Sequence, residues 1–108
     1  MNKPASLDNI PVKNTIKGHF GRFVHGDKST LAFWEILAGS ESPIHQHPHE
    51  QIMYIMEGVF EMELDGKKYM MEQHDTLVIP PDTPHGCRAL ADCKIIDSFS
   101  PARDDYRY

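Results

Sequence analysis

The chain has 108 residues, of which 40% are hydrophobic and 25% are charged, and its formal net charge at pH 7 is −5. These values are typical of one globular domain, and they exclude a disordered chain and a chain with two ordinary cores. Only 11 residues are basic and they are scattered, so the sequence lacks the electrostatic footprint of a nucleic-acid-binding protein.

The first residues, MNKPASLDNIPVKN, contain no apolar run long enough for a secretory signal, and no later segment has the length of a membrane span. We therefore expect a cytoplasmic protein with no membrane partner. Cys87 and Cys93 lie too close together in sequence to frame a disulfide scaffold, and a cytoplasmic protein would keep both as thiols.

Short apolar and β-branched runs alternate with turn signals along the chain, which predicts an all-β fold with little or no helix. We expect a single domain over residues 1–108, without repeats or linkers. The expected strands, in chain order, are Gly18 to Val24, Thr30 to Ala38, Gln51 to Met56, Val59 to Leu64, Lys67 to Met71, Thr76 to Ile79, His85 to Ala89 and Lys94 to Phe99.

The clearest predicted hairpin follows the strand that ends at Leu64. Apolar and charged residues alternate there, and Asp65-Gly66 suits a two-residue turn of a primed type. Phe60, Met62 and Leu64 should therefore face the core. Pro80-Pro81 lacks two amide donors, so the strand before it has to end there.

His45 and His47 are two residues apart, so an extended segment would point both imidazoles to one face, as two ligands of one metal ion require. Either His49 or Gln51 could supply a third donor. We prefer Gln51 because it opens an apolar strand that would fix its position. His49 lies in an expected bend between Pro48 and Glu50.

Two segments carry a recognisable paired spacing. Gly39 to Gly58 resembles the first cupin motif, in which Gly, His-x-His, Glu and Gly follow one another at fixed intervals, with Gln51 in place of the usual Glu. His74 to His85 resembles the second motif, and His85 occupies its ligand position. The resemblance implies a cupin, a double-stranded β-helix or jelly-roll barrel, with motifs over residues 39–58 and 74–89. Its metal ligands would be His45, His47, Gln51 and His85.

The remaining histidines have no expected role in metal binding. His74 replaces a glycine of the second motif and should adopt positive φ, which histidine tolerates better than most residues. Asp82 replaces another such glycine, again with consequences for turn geometry. We expect a structural or exposed position for His19, His25 and His49, although His49 could also support a ligand. Cys87 has the strand parity of His85 and is expected to be a structural thiol.

The chain ends with Asp97-Ser-Phe99-Ser-Pro-Ala-Arg103-Asp-Asp-Tyr. Period-two alternation places Asp97 and Phe99 on one face of the last strand. If that face looks into the barrel, Asp97 is a buried carboxylate near the metal, where it can act as acid or base. Arg103 could lie over the barrel mouth, where its planar fork suits a substrate carboxylate.

Together with His-Pro-His-Glu-Gln and Ile-Pro-Pro-Asp-Thr-Pro-His-Gly, this tail resembles the small pectin-degradation cupins of the KdgF type. The resemblance runs from Gly39 to the end of the chain. It implies linearisation of 4,5-unsaturated monouronates to keto-aldehyde acids, with Asp97, Phe99 and Arg103 as active-site residues. Gln51 as third ligand agrees with this family.

The ligand types suit Zn, Ni, Fe or Cu, and Mn somewhat less, so we expect one divalent metal ion without assigning its identity. Two alternatives remain open: a metal-dependent dioxygenase with a three-histidine site, and a non-catalytic sugar-binding cupin. In each case the expected partner is a small molecule, an unsaturated sugar acid in the preferred interpretation. Exposed edge strands also favour a homodimer.

Overall fold

Ten antiparallel strands form two facing sheets in the computed structural model, which describes residues 3–107. One sheet has the order β1-β2-β3-β10-β5-β8 and the other β4-β9-β6-β7. The strands are β1 (Lys13–Ile16), β2 (His19–His25), β3 (Thr30–Ile36), β4 (Glu41–His45), β5 (Glu50–Glu57), β6 (Phe60–Leu64), β7 (Lys67–Met71), β8 (Thr76–Ile79), β9 (His85–Ala89) and β10 (Cys93–Ser100). This all-β barrel agrees with the architecture that the sequence predicts.

All eight expected strands are present, with ends shifted by at most two residues, but two strands were not predicted. Both β1 and β4 are edge strands, and neither has a continuous apolar pattern. Pro43 lies within β4, which only an edge strand tolerates, because proline cannot donate to a ladder. The expected single domain over residues 1–108 includes Met1, Asn2 and Tyr108, which lie outside the described residues.

The turns match the sequence signals. Asp65 and Gly66 have φ of 49° and 82°, as a type I′ turn between β6 and β7 requires. His74 and Asp82, which replace the motif glycines, have φ of 74° and 58°, so both occupy the left-handed region. The strand before Pro80 ends at Ile79, as the two prolines predict.

The inner faces of the two sheets enclose the core. Strand β10 alternates buried and more exposed residues along its length, and β5 and β6 alternate similarly. Phe60 and Met62 are each 1% exposed, and Leu64 is partly buried against the same core. The fully buried side chains include large aliphatic and aromatic groups: Phe60, Ile55, Met62, Ile79 and Ile95.

Helical structure within residues 3–107 consists of two 3₁₀ turns, Leu7–Asn9 and Asp104–Tyr106. Neither is long or apolar enough to span a membrane. The cytoplasmic location stays a prediction.

Candidate metal centre

Three histidine rings meet at one end of the barrel. His45 is the last residue of β4, His47 lies in the loop before β5, and His85 opens β9. The ring centroids are 4.4 Å apart for His45 and His85, 4.8 Å for His47 and His85, and 5.9 Å for His45 and His47. Their ligand nitrogens all lie within 4.8 Å of one another. Two ligands of one zinc ion are at most about 4.2 Å apart, so small side-chain rotations would complete the geometry.

A close approach of β4 to β9 brings His45 and His85 opposite each other. They are paired in the register, which shifts between Ser42 and His45. Gly86 makes this approach possible, because a Cβ on it would lie 2.9 Å from the carbonyl oxygen of Ser42. The glycine beside the ligand therefore sets the distance between the two strands.

Each of the three rings has its Nδ1 atom against a backbone carbonyl oxygen two residues away. The distances are 2.8 Å from His45 to Pro43, 3.1 Å from His47 to His49 and 2.8 Å from His85 to Thr83. A carbonyl only accepts, so each Nδ1 carries the proton and each Nε2 keeps its lone pair. Such bonds orient ligating histidines in metal sites and leave Nε2 as the ligand atom.

Gln51 places its amide between this cluster and Asp97. Its Oε1 lies 3.2 Å from Nε2 of His47, and its side chain also hydrogen-bonds to the Asp97 carboxylate. Because the His47 proton is on Nδ1, two lone pairs face each other across this short distance. A cation between them would relieve the repulsion, so the donor set fits a divalent metal ion.

Burial and the nearby charge of Arg103 lower the pKa of both His47 and His85 below the usual histidine range. Both imidazoles are therefore neutral at neutral pH, as metal coordination requires. His85 is 4% exposed and His47 is 9% exposed, whereas His45 is exposed. The cluster consequently lies at the mouth of the barrel and is accessible to small molecules.

Asp97 lies deeper, on the inner face of β10. It is 5% exposed, and burial raises its pKa to about 7, although Gln51 and Trp34 side chains and the charge of Arg103 oppose the shift. Its Oδ1 is buried and has no hydrogen-bond partner among residues 3–107. Among residues 3–107, Asp97 forms no ion pair with Arg103 or Arg88.

Arg103 lies over two steeply inclined aromatic rings and is anchored by a carboxylate. Its guanidinium carbon lies 4.7 Å from the ring centre of Phe99 and 4.2 Å from that of Tyr106. Its Nε and Nη2 atoms donate to the two oxygens of Asp105 at 3.0 and 2.8 Å. This bidentate pair and the cation–π contacts hold the charged group beside the histidine cluster.

The C-terminal segment, residues 101–107, is tied to the barrel by a connected set of hydrogen bonds. The Arg103 amide donates to Thr30 Oγ1 at 2.9 Å, and that hydroxyl lies 2.9 Å from Nδ1 of His25. Nε2 of His25 and Nζ of Lys13 both reach the Tyr106 carbonyl, at 3.3 and 2.8 Å. His25 therefore donates through Nε2 and accepts from Thr30 through Nδ1.

Residues 32–99 match the family model of the cupin domain. The chain belongs to the cupin family. The pectin degradation protein KdgF of Dickeya dadantii is 34% identical over 64 residues, which are 57% of this cupin and 58% of the relative. An uncharacterised protein of Methanocaldococcus jannaschii is 43% identical over 61 residues, 56% of this cupin and 49% of the relative. The matches thus span about half the length of these two relatives.

A solved structure of KdgF from a Halomonas species superposes with a TM-score of 0.89 at 31% identity, covering 97% of this cupin and 98% of that chain. The resemblance to KdgF expected from the sequence is therefore confirmed, and the chain is a KdgF-like cupin.

All seven residues chosen from the sequence of this cupin line one cavity of about 350 Å³. They are His45, His47, Gln51, His85, Asp97, Phe99 and Arg103. Cys87 also lines it, and burial raises the pKa of its thiol to about 12, which fits the expected structural role. His49 is partly buried and contributes its backbone carbonyl to His47.

Other residues of the cavity wall were not predicted as part of the site, among them Trp34, Tyr106 and His19. Trp34 follows the inward parity of Ala32 and Ile36 on β3, a signal that was present in the sequence. Tyr106 reaches the cavity from beyond the last strand, where no periodic pattern applies. His19 was expected to have a structural or exposed position without a role in the site; it is buried and lines the cavity.

Proposed function

We propose that this cupin is a metal-dependent enzyme that opens the ring of 4,5-unsaturated monouronates to give keto-aldehyde acids. One observation carries the proposal: three converging histidines with Gln51 beside them, a buried carboxylate and an arginine held over two aromatic rings bound the same cavity. Its volume of about 350 Å³ lies in the range of small-molecule sites. The likeness to KdgF supports a substrate from pectin breakdown.

His45, His47, Gln51 and His85 would hold one divalent ion, and Zn, Ni, Fe, Cu or Mn is compatible with these ligand types. A bound ion would supply Lewis acidity, and four neutral ligands leave it with its full charge to polarise a substrate oxygen. The mouth position of His45 leaves one side of the cluster open to the substrate.

Arg103 would bind the substrate carboxylate. A guanidinium has five N–H donors. Asp105 accepts two of them, and the hydroxyl of Tyr106 accepts another. The remaining donors can bind an anion, while the rings of Phe99 and Tyr106 keep the guanidinium plane in a fixed orientation. Phe99 would in addition pack against the sugar and exclude water.

Asp97 would move the proton of the reaction through Oδ1. It would accept the proton of the anomeric hydroxyl, so that the C–O bond of the hemiacetal breaks and an aldehyde forms. The electron pair remains on the former ring oxygen as an enolate, and return of the proton to carbon gives the ketone. One proton is moved and no electrons are gained or lost overall, so the reaction is an isomerisation.

The decisive experiment incubates the metal-loaded protein with lyase-generated unsaturated monouronates and follows the loss of ultraviolet absorbance of the conjugated double bond. An oxygen electrode in the same sample separates ring opening from a dioxygenase. We expect the absorbance to fall without oxygen uptake. It should stay constant when a chelator has removed the metal from the protein. Oxygen uptake would favour the dioxygenase, and tight binding without turnover would favour a sugar-binding cupin.

We also propose a homodimer formed through the outer face of the six-stranded sheet. This face exposes an apolar band on β2, β3, β5 and β8 that includes Val24, Leu31, Ile52 and Val78, each at least 43% exposed. Burying such a band against a second copy would remove it from water. Light scattering should give twice the mass of the chain, and Ile52→Glu should return it to the monomer; a monomeric wild-type protein would refute the dimer.

A further inference from the structure

His19 is a buried polar residue in the cavity that the proposed reaction does not use. It opens β2, whose inward face also carries Gly21 and Phe23. His19 is 6% exposed, and its ring meets the ring of Trp34 edge to face at 6.3 Å. Gly21 leaves room for that indole, because a Cβ on it would lie 2.9 Å from Trp34. The histidine therefore belongs to the cavity wall formed by β2 and β3.

The tautomer of His19 follows from its hydrogen bond to the backbone. Nδ1 lies 3.1 Å from the carbonyl oxygen of Lys17, which can only accept, so Nδ1 carries the proton. Nε2 then presents a lone pair. This atom is buried and has no partner among residues 3–107. A buried acceptor without a donor costs about 1–3 kcal/mol, so a group that fills this position would be bound favourably.

A second buried acceptor belongs to Asp97, which lines the same cavity. Oδ1 of Asp97 also lacks a partner in the described part of the chain, and Trp34 connects the two sites, since its indole hydrogen-bonds to the Asp97 carboxylate. A ligand that satisfies both must bring more than one hydrogen-bond donor. The hydroxyl groups of a sugar ring meet that requirement, whereas a simple apolar acid does not.

We propose that Nε2 of His19 accepts a hydrogen bond from a ring hydroxyl of the sugar acid and so determines specificity for hydroxylated rings. The inference rests on the proposed function, in which Arg103 binds the substrate carboxylate and the metal ligands hold an ion that polarises a substrate oxygen. His19 then positions the ring from another part of the wall. Its contribution is to substrate binding, and the metal ligands do not depend on it.

Two substitutions separate this role from packing. In His19→Asn the amide takes the place of Nδ1 and can still donate to Lys17, but nothing occupies the Nε2 position. In His19→Gln the longer amide reaches the Nε2 position and can accept from a hydroxyl. Both variants lose the ring, so the difference between them isolates the acceptor. His74→Asn is a matched control, because His74 is exposed and asparagine tolerates its positive φ.

Calorimetry with zinc-loaded protein would compare galacturonate with cyclohexanecarboxylate, an acid of similar size without hydroxyl groups. His19→Asn should bind galacturonate about 3- to 10-fold more weakly, the usual contribution of one hydrogen bond, and His19→Gln should recover part of the loss. Cyclohexanecarboxylate should bind all variants equally. Equal galacturonate affinities for wild type and His19→Asn, or an equal loss for both acids, would overturn the proposal.

Nitrogen NMR of the labelled protein gives a readout independent of activity. The His19 ring should show a protonated Nδ1 and a bare Nε2, and galacturonate should shift the Nε2 resonance. A proton on Nε2 in the ligand-free protein would overturn the proposal. If the wild type fails to open unsaturated uronates but galacturonate binding still depends on His19, the proposed reaction is wrong and this inference stands. If turnover proceeds and KM is unchanged in His19→Asn, only this inference fails.

Discussion

The histidine cluster of the candidate metal centre and the C-terminal segment bound the same cavity, but they are fixed in different ways. Each histidine of the centre is oriented by a carbonyl two residues away in sequence. The C-terminal segment depends on distant partners: the Arg103 amide bonds to Thr30, and the Tyr106 carbonyl accepts from Lys13, 73 and 93 positions earlier in the chain. Local chain geometry therefore preforms the ligand cluster, whereas the arginine at the rim depends on the whole barrel.

The largest effect should come from removing a ligand. His85→Ala should weaken metal binding by more than about 100-fold, because the loss of an outer-sphere partner alone costs 10- to 100-fold. Uronate ring opening should then disappear. Metal content after dialysis checks this, with His49→Ala as control, since that variant keeps the carbonyl that holds His47. Stoichiometric metal in His85→Ala, or metal loss in His49→Ala, would contradict the assignment of ligands.

Asp97→Asn should affect rate without affecting the metal. Asparagine keeps the shape of the side chain but cannot carry a proton in the relevant pH range. Turnover should fall roughly 10²- to 10⁴-fold, the usual contribution of general acid–base catalysis, while metal content and galacturonate affinity are retained. Steady-state kinetics and calorimetry measure the two quantities. A wild-type rate in Asp97→Asn would show that Asp97 takes no part in the proton transfer.

Thr30→Val removes one of the hydrogen bonds that tie the C-terminal segment to the barrel. Valine has a similar shape but leaves the buried Arg103 amide without an acceptor, at a cost of about 1–3 kcal/mol in the free energy of unfolding. KM for the uronate should rise as Arg103 loses its position. Chemical denaturation and kinetics test this against Thr76→Val, an exposed strand residue. Equal stability of the two variants would show that the hydrogen bond between the Arg103 amide and Thr30 does not stabilise the fold.

The smallest effect concerns acid stability. Hydrogen bonds and charge from Arg103 lower the pKa of Asp105, and His49 also lowers it through its charge. The ion pair between Arg103 and Asp105 therefore stabilises the fold fully at pH values above the unfolded Asp pKa of about 3.9. This contribution is lost as the pH falls through the lower pKa that Asp105 has in the folded protein. Asp105 is 56% exposed, so the effect should stay below about 1 kcal/mol. Asp105→Asn should be less stable than wild type at pH 7, and denaturation curves at pH 3 should show a smaller difference.

The same contrast explains what the sequence could predict. His45, His47 and His85 follow from motif spacing, and Gln51 follows from its place at the start of an apolar strand. Tyr106 has no comparable signal, because its entry into the cavity depends on the fold of the chain end. His19 looks like any isolated histidine until the packing shows an unpartnered nitrogen. Strand β4 was not predicted, because Pro43 and its polar neighbours do not show the apolar pattern by which strands are recognised in a sequence.

The segment that matches the cupin family model, residues 32–99, contains every proposed metal ligand and Asp97. His19, Arg103 and Tyr106 line the cavity from outside that segment. In the proposed function, the metal ligands and the acid–base residue therefore lie within this segment, whereas His19 and Arg103, which are proposed to bind the substrate, lie outside it. Exchanging the two chain ends between such proteins would change the substrate-binding residues and leave the metal ligands unaltered. Evolution and protein engineering could both reach new substrates by this route.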